Sequence, residues 1–534
     1  MTRLLRTDVG TMELRPIQAL ALSEIRENGG LLGAIGVGHG KTLVSLLAPS
    51  VLYSKRPLLL LPAQLKRLTL DSILPELRKH WRISPDLVVE SYHAISNKPN
   101  LLFDLSPDLI IADECHKISR KNSARTRRIL RYFDAKEETR FVGLSGTITR
   151  KSLEDYWHLL LMALRENAPT PLKFHEMRQW GLCIDDGVPD FERPQPGAFK
   201  HWLKRNALEG KSPSESRSIV RSAYRERLTE TAGVVATSDA GVGASLVIRK
   251  HSAIYEPIGV APWISESLKT LEDEWTTPGG EEVSDAVDYW RKAREISMGF
   301  YYVWNWGEDG PDLEWLEARK EWRRFVRRTA SRNRDYDTEL LISNACERGD
   351  LLSVEWTTWN AIKDRANPKT ETVWKCDTVL EYGIELAEER KDTILWFEHK
   401  AVGERLKELR PEWPVFVGGV HGNTELTEHV NNLKGPCSAS IKAHGVGVNI
   451  QALSDGIVLT PPSSGAIWEQ LLGRTHRTGQ RADVVNWTVF VHTRHLSEAF
   501  SKAVENGRYI EEVTGQKQRI NYSTIYVGDG HAQD

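Results

Sequence analysis

Cysteine is scarce in this chain of 534 residues: there are five, Cys115, Cys183, Cys346, Cys376 and Cys437, far apart and with no CxxC pair. That spacing argues against a zinc site and a disulfide framework, and it fits a reducing cytoplasm. Long apolar runs are missing too. No uninterrupted stretch reaches the roughly 18 residues that a membrane helix needs. The opening MTRLLRTDVGTMELRP carries no apolar signal core, so neither a membrane nor a secretory route is expected. Low-complexity tracts are lacking, which argues against extended disorder. The net charge is only -2. A balanced total neither marks nor excludes a nucleic-acid partner, because basic grooves are local.

What is present is enough chain for roughly three to four ordinary domains. From Leu31 a short apolar strand breaks into Gly36-Val37-Gly38-His39-Gly40-Lys41-Thr42 and resumes with helical spacing. Glycines let several backbone N–H groups turn toward one point, and the helix behind them adds the positive end of its dipole. An anion belongs there. The pattern GxxxxGK[ST] puts Lys41 within reach of the β- and γ-phosphates of a nucleotide and the Thr42 hydroxyl on Mg²⁺.

A second buried-type strand, Leu109 to Ala112, ends in Asp113-Glu114-Cys115-His116. Carboxylates at a strand's carboxyl end face the ligand crevice of an open α/β sheet. Asp113 is the expected partner of Mg²⁺, and Glu114 the candidate to orient and deprotonate an attacking water. His116 suggests a link to the next strand, Phe141 to Leu144. The turn after that strand, Ser145-Gly146-Thr147, can hydrogen-bond the acidic loop and relay its state.

Together these residues resemble superfamily two helicases and, among them, the Swi/Snf-type DNA translocases. Leu14-Arg15-Pro16-Ile17-Gln18 looks like that family's adenine-sensing segment, which implies that Arg15 and Gln18 bind nucleotide. LLLLPAQL around Pro62 resembles a turn that touches nucleic acid, and Ser91-Tyr92 the next such contact. Lys121-Asn122-Ser123 and LSGTITRKSLEDYWHLL continue the likeness. In the far half, Ile441 to Ile450 (IKAHGVGVNI) is similar to KAGGVGLNL, placing Gly447 and Asn449 at the nucleotide. QLLGRTHRTGQ, from Gln470 to Gln480, is similar to the RAHRIGQ signature and implies catalytic roles for Gln470, Arg474 and Arg477. Such arginines fit a finger array that stabilises charge on the γ-phosphoryl oxygens. A finger is worth about 10³ to 10⁵ in rate, or roughly 4 to 7 kcal/mol. The chain departs from the family at Gly473, where translocases usually carry an acid, at Thr460-Pro461-Pro462-Ser463-Ser464, which replaces a tryptophan-containing turn, and at Cys115, which replaces a smaller residue.

The resemblance implies an α/β fold of two RecA-like parallel-sheet domains with a largely helical insertion between them. The first motor domain would span residues 1–165, the insertion 166–373, the second motor domain 374–515 and a tail 516–534. Ser284 to Trp304 and Asp312 to Arg332 read as helices, and Gly241 to His251 as a turn and strand. Glu314 to Arg334 places Arg323 and Arg327 among other basic residues beside Trp315, Trp322 and Phe325. Those basic residues are candidates for phosphate contact, whereas the aromatic stripe is better read as core. A second basic stretch runs from Arg120 to Arg131.

The expected function is an ATP- and Mg²⁺-dependent motor on nucleic acid, foremost a translocase on duplex DNA, with a possible protein partner on the helical middle region. The alternatives are a strand-separating or branch-migrating DNA or RNA helicase, and a nucleotide-switched scaffold. The complete set Lys41, Asp113, Glu114, Arg474 and Arg477 argues against the scaffold. A minimal motor of this kind points to the cytoplasm of a bacterial cell or of a virus-infected host.

Overall fold

The computed structural model describes all residues except 122, 150, 187, 195–196, 200, 238–241, 253–259, 282, 284–285, 308–309, 333–338, 419–421, 446–447, 528–530 and 533–534. Side chains at 190, 198, 286–287, 327, 330–332 and 531–532 also lie outside the description. The chain divides into two compact units. The larger comprises 1–119, 136–261 and 377–534, and the smaller 120–135 and 262–376.

The larger unit is α/β and holds two sheets. The first contains β1 (Leu31–Ala34), β2 (Pro57–Leu61), β3 (Val88–Ser91), β4 (Leu109–Asp113), β5 (Arg140–Ser145) and β6 (Val234–Ala236), in the order β3-β2-β4-β5-β1-β6 with every pair parallel. Strands covered on both faces read as unbroken apolar runs, and β2 and β4 are buried at every residue. Leucines from these strands pack against the helices Pro16–Asn28 and Lys41–Leu52 to form the first core. Because β5 lies between β4 and β1, the loops after all three strands open side by side at one carboxyl edge, where open α/β sheets bind ligands.

β7 (Ser245–His251) opens the second sheet before the chain enters the smaller unit. That unit joins β8 (Phe300–Asn305) antiparallel to β9 (Lys369–Trp374), with the helices Leu313–Arg332, Glu339–Glu347 and Val354–Ile362 between them. Its core is built on Trp322, Ile342 and Trp356. The chain then returns through β10 (Ile394–Phe397), β11 (Val415–Phe416), β12 (Cys437–Ser440), β13 (Asp455–Val458), β14 (Val484–Phe490), β15 (Thr524–Val527) and β16 (His531–Ala532). The order is β11-β12-β10-β13-β14-β7-β15-β16, and within this sheet, among the described residues, only the β15–β16 pair is antiparallel. Trp396, Trp468 and Trp487 fill the second core.

Three sequence expectations are corrected. The inserted unit runs from 262 to 376, not from 166 to 373, because Val234–Ala236 pairs with β1 and Ser245–His251 with β14. The expected tail is likewise part of the fold, since Thr524–Val527 adds to β7. Ser284 to Trp304 is not one helix: a helix covers Ala286–Ser297, and Phe300 starts a strand whose aromatic and β-branched residues suit a pleated surface. No described helix is long and apolar enough to cross a membrane.

The first sheet's lobe is tied to the helix Arg494–Thr514 of the second by Asp185. Its carboxylate accepts from Ser152 Oγ at 2.6 Å, from Leu153 N–H at 2.7 Å and from Tyr509 Oη at 3.3 Å. Burial pushes this carboxyl up from an ordinary 3.8 to about 6, against the pull of the Ser152 and Leu153 hydrogen bonds. Folding thus takes up a proton between those values, and the site's contribution to stability declines as pH rises through about 6. Melting curves from about pH 4 to about pH 7 should show the wild type losing Tm relative to Asp185→Asn as pH rises. A pH-independent difference would refute the assignment.

Candidate active site

After β1 the backbone passes through Gly38 and Gly40 at φ +92° and +79°, conformations that favour glycine. Gly40 caps the helix Lys41–Leu52, so that helix's first N–H groups face the loop. A side chain at Gly40 would collide with the Gln18 amide. Gln18 Nε2 donates to Gly40 O at 3.2 Å and Arg15 Nη1 to Gly38 O at 2.7 Å, so both residues of the expected adenine-sensing segment hold the loop. Lys41 is buried and folds back on the loop, its Nζ donating to Ile35 O at 3.0 Å and Gly36 O at 3.3 Å. Thr42 follows it in the first helical turn, half-buried.

Asp113 ends β4, and Glu114 turns the chain with φ +57°, a left-handed conformation that a non-glycine residue adopts at a cost. Both carboxylates are buried. Burial, then Glu114, pushes the Asp113 carboxyl up to about 7. Burial opposes ionisation of Glu114 as well, but Lys41, the His116 hydrogen bond and Arg474 hold its carboxyl well below the usual range. His116 Nδ1 lies 2.9 Å from Ser145 Oγ and 3.2 Å from Glu114 Oε2. Ser145 Oγ is 2.8 Å from Thr147 O and accepts from Thr147 N–H at 3.2 Å. The acidic loop is thereby hydrogen-bonded into the turn after β5, as the sequence suggested for His116, Ser145 and Thr147.

The second sheet's lobe supplies the opposite wall. Arg474 is buried, its Nε donating to Gly445 O at 3.0 Å and Nη1 to Val448 O at 3.3 Å. Burial draws its guanidinium down to about 10, while the charge of Glu114 from the first lobe supports it. Arg477 hydrogen-bonds Asn449 Oδ1, and its Cβ lies 3.9 Å from the position a Cβ on Gly38 would take. Gln470 is buried on the helix Gly465–Leu472. Gly447 lies outside the described residues.

Several participants carried no local signal. Glu469, beside Gln470, makes a fully buried ion pair with Arg519, whose Nε also donates to His476 O at 3.1 Å. Lys41 is close enough for its charge to act on Glu469. Thr237, just past β6, accepts the Gly36 N–H at 2.9 Å. Only the folded chain brings these residues to the glycine loop after β1.

A cleft of about 800 Å³ is lined by Gln64 and Arg67 of the first lobe and by Asn423, Thr427, His444 and Asn449 of the second, the last of these being the partner of Arg477. Pro62 precedes the helix Ala63–Leu68 on its wall. Of the expected contacts Ser91 and Tyr92, the Ser91 hydroxyl accepts from Ala94 N–H to cap a helix, and the buried Tyr92 phenol donates to Asp113 O at 2.8 Å. Arg323 is exposed on the helix Leu313–Arg332 of the smaller unit, and the Arg327 side chain is outside the description.

The polyphosphate and divalent cation expected from the sequence would meet Lys41, the Thr42 hydroxyl and the Asp113 carboxylate here. Asp113 and Glu114 are adjacent buried carboxylates, and Asp113, pushed up by burial and by Glu114, is the one short of positive charge, which with Thr42 it would gain from Mg²⁺. No protein-family model matches the chain, and no curated protein matches it.

Removing one partner of a buried ion pair leaves the other charge stranded. Arg519→Met should therefore lower the free energy of unfolding by about 3 to 5 kcal/mol, and Glu469→Gln added to it should restore part of the loss. Urea unfolding of the two variants checks this, and an unchanged midpoint in Arg519→Met would refute it.

Proposed function

We propose that this chain is an ATP-hydrolysing motor on nucleic acid, built on two RecA-like lobes and nearest in its motifs to the Swi/Snf-type duplex DNA translocases of helicase superfamily two. One observation carries the reading. Lys41, Asp113 and Glu114 of one lobe stand by the arginine loop of the other: a Cβ on Gly38 would come within 3.9 Å of Arg477 Cβ, and the charges of Glu114 and Arg474 act on each other.

In this reading Lys41 exchanges its loop carbonyls for phosphate oxygens, and the N–H groups of the loop and of the helix behind it take the remaining charge. Asp113 and Thr42 would hold Mg²⁺, which when bound would supply positive charge to the phosphate oxygens. Glu114, ionised under Lys41, orients a water and accepts its proton. Arg474 and Arg477 meet the charge that develops on the transferred phosphoryl group, with the reacting atoms shielded from water between the lobes. His116, Ser145 and Thr147 carry the state of Glu114 to the turn after β5. The 800 Å³ cleft, with Arg67 and Asn423 on opposite walls, is the groove through which a backbone would track. Contacts of that kind are independent of sequence and sensitive to salt.

Steady-state phosphate release should rise with duplex DNA and fall as salt increases. A rate indifferent to duplex, single strands and RNA would remove the motor reading. Triplex displacement set beside unwinding of a forked duplex separates translocase from strand-separating helicase. Glu114→Gln should retain ATP binding while turnover drops by about 10² to 10⁴, and Arg477→Ala should lose about 10³ in turnover. Lys41→Ala should weaken both binding and turnover. Nucleotide titration with single-turnover kinetics measures each, and near-normal turnover in Glu114→Gln would overturn its role.

A further inference from the structure

Beyond the recognised motifs, the turn after the helix Arg494–Thr514 comes to the phosphate loop. Gly515, at φ +74°, ends that helix, and Gln516, Gln518 and Arg519 then run inward with 2%, 0% and 3% of their surface exposed. Arg519 is matched by Glu469, and Gln518 Nε2 donates to Gln516 O at 3.2 Å. Gln516 differs from both. Its backbone N–H and carbonyl are bonded, to Thr514 Oγ1 and from Gln518, but among the described residues neither side-chain Nε2 nor Oε1 has a partner. A buried amide in that state is costly unless something else completes it.

Its position indicates what completes it. Gln516 Nε2 lies 3.6 Å from the point a Cβ on Gly36, the first glycine of the phosphate loop, would occupy. The N–H of Gly36 is already spent on Thr237, and its carbonyl accepts from Lys41. The amide therefore faces the loop beside the lysine that reaches the outer phosphates, with its own donors unused. The same turn is fixed to the arginine loop, since Arg519 Nε donates to the carbonyl of His476, which stands between Arg474 and Arg477. Gln516 and the two arginines thus come to the loop from one lobe, on a shared support.

We propose that Gln516 is a ligand-contacting residue of this pocket, donating its side-chain N–H to the terminal phosphate of a nucleoside triphosphate. The proposal rests on the nucleotide reading above. A diphosphate lacks the oxygens in question, so the contact distinguishes substrate from product.

The test is calorimetric titration of the full chain, with Mg²⁺, by ADP and by a non-hydrolysable ATP analogue. Gln516→Met keeps the volume and should weaken the triphosphate about tenfold, while ADP stays within about twofold of wild type. Gln516→Glu keeps the shape but turns a carboxylate toward the phosphates, and should weaken the triphosphate further than methionine does. Wild-type affinity for both nucleotides in the two variants overturns the proposal, and so does an equal loss for both, which would mark a purely structural role. If the wild type binds neither nucleotide, the nucleotide reading itself fails, and the proposal with it.

Discussion

Buried charge is the constraint on which this molecule turns. Glu114 and Lys41 of the first lobe and Arg474, Glu469 and Arg519 of the second all lie below a tenth exposure. An ion removed from water is tolerated only when an opposite charge or a full set of hydrogen bonds replaces the water. Arg519 and Glu469 satisfy each other within one lobe. Arg474 has carbonyl acceptors at home, but the carboxylate that supports its charge belongs to the other lobe. The strand order of the first sheet meets this demand by setting the loops after β4, β5 and β1 in adjacent positions, so that one arginine loop can face them all.

How much of this could be read from the residues depends on whether the information is local. β1, β2, β4 and β5 announce themselves because parallel strands covered on both faces are apolar throughout. The phosphate loop does so because its glycines, lysine and threonine must be contiguous. Val234–Ala236, by contrast, is three residues long, and its place in the sheet is set by pairing with Leu32–Ala34, about two hundred positions away. Thr237, Glu469, Gln516 and Arg519 share that difficulty: each is unremarkable among its sequence neighbours and acquires its role from a long-range contact. Tyr92 shows the complementary case: the resemblance places it at nucleic acid, and the sequence gives no sign that its hydroxyl donates to the Asp113 carbonyl.

The basic helix of the smaller unit is a case in which the modest reading was the sounder one for the aromatics. Trp315 and Trp322 are buried, the latter against Trp356 with ring centroids 5.0 Å apart. Arg319 lies over the rings of Trp304 and Trp315, at 4.9 and 5.4 Å. Lys320, Arg324 and Arg328 pair with Glu317, Glu321 and Glu355. Exposed pairs of this kind contribute little to stability, but they reduce the field the helix presents to a polyanion. Its positive sequence therefore overstates the attraction available for nucleic acid.

Gly473 draws these strands together. The family to which the motifs are similar usually carries an acid there, and its loss could be taken as a change of chemistry. Packing gives another account: a Cβ at Gly473 would sit 2.9 Å from Glu469 O and 3.2 Å from Cβ and Cγ1 of Val37, inside the phosphate loop. Any side chain would lift the arginine loop away from the loop it faces, and Arg474 away from Glu114. Glycine is what lets the lobes meet this closely. A contact made of Gly473 on Val37 is apolar and small, so parting it costs little by itself. The charges beside it are each held at home as well as across the lobes: Arg474 donates to Gly445 O and Val448 O, and Glu114 has Lys41 and His116 beside it with Arg474 beyond.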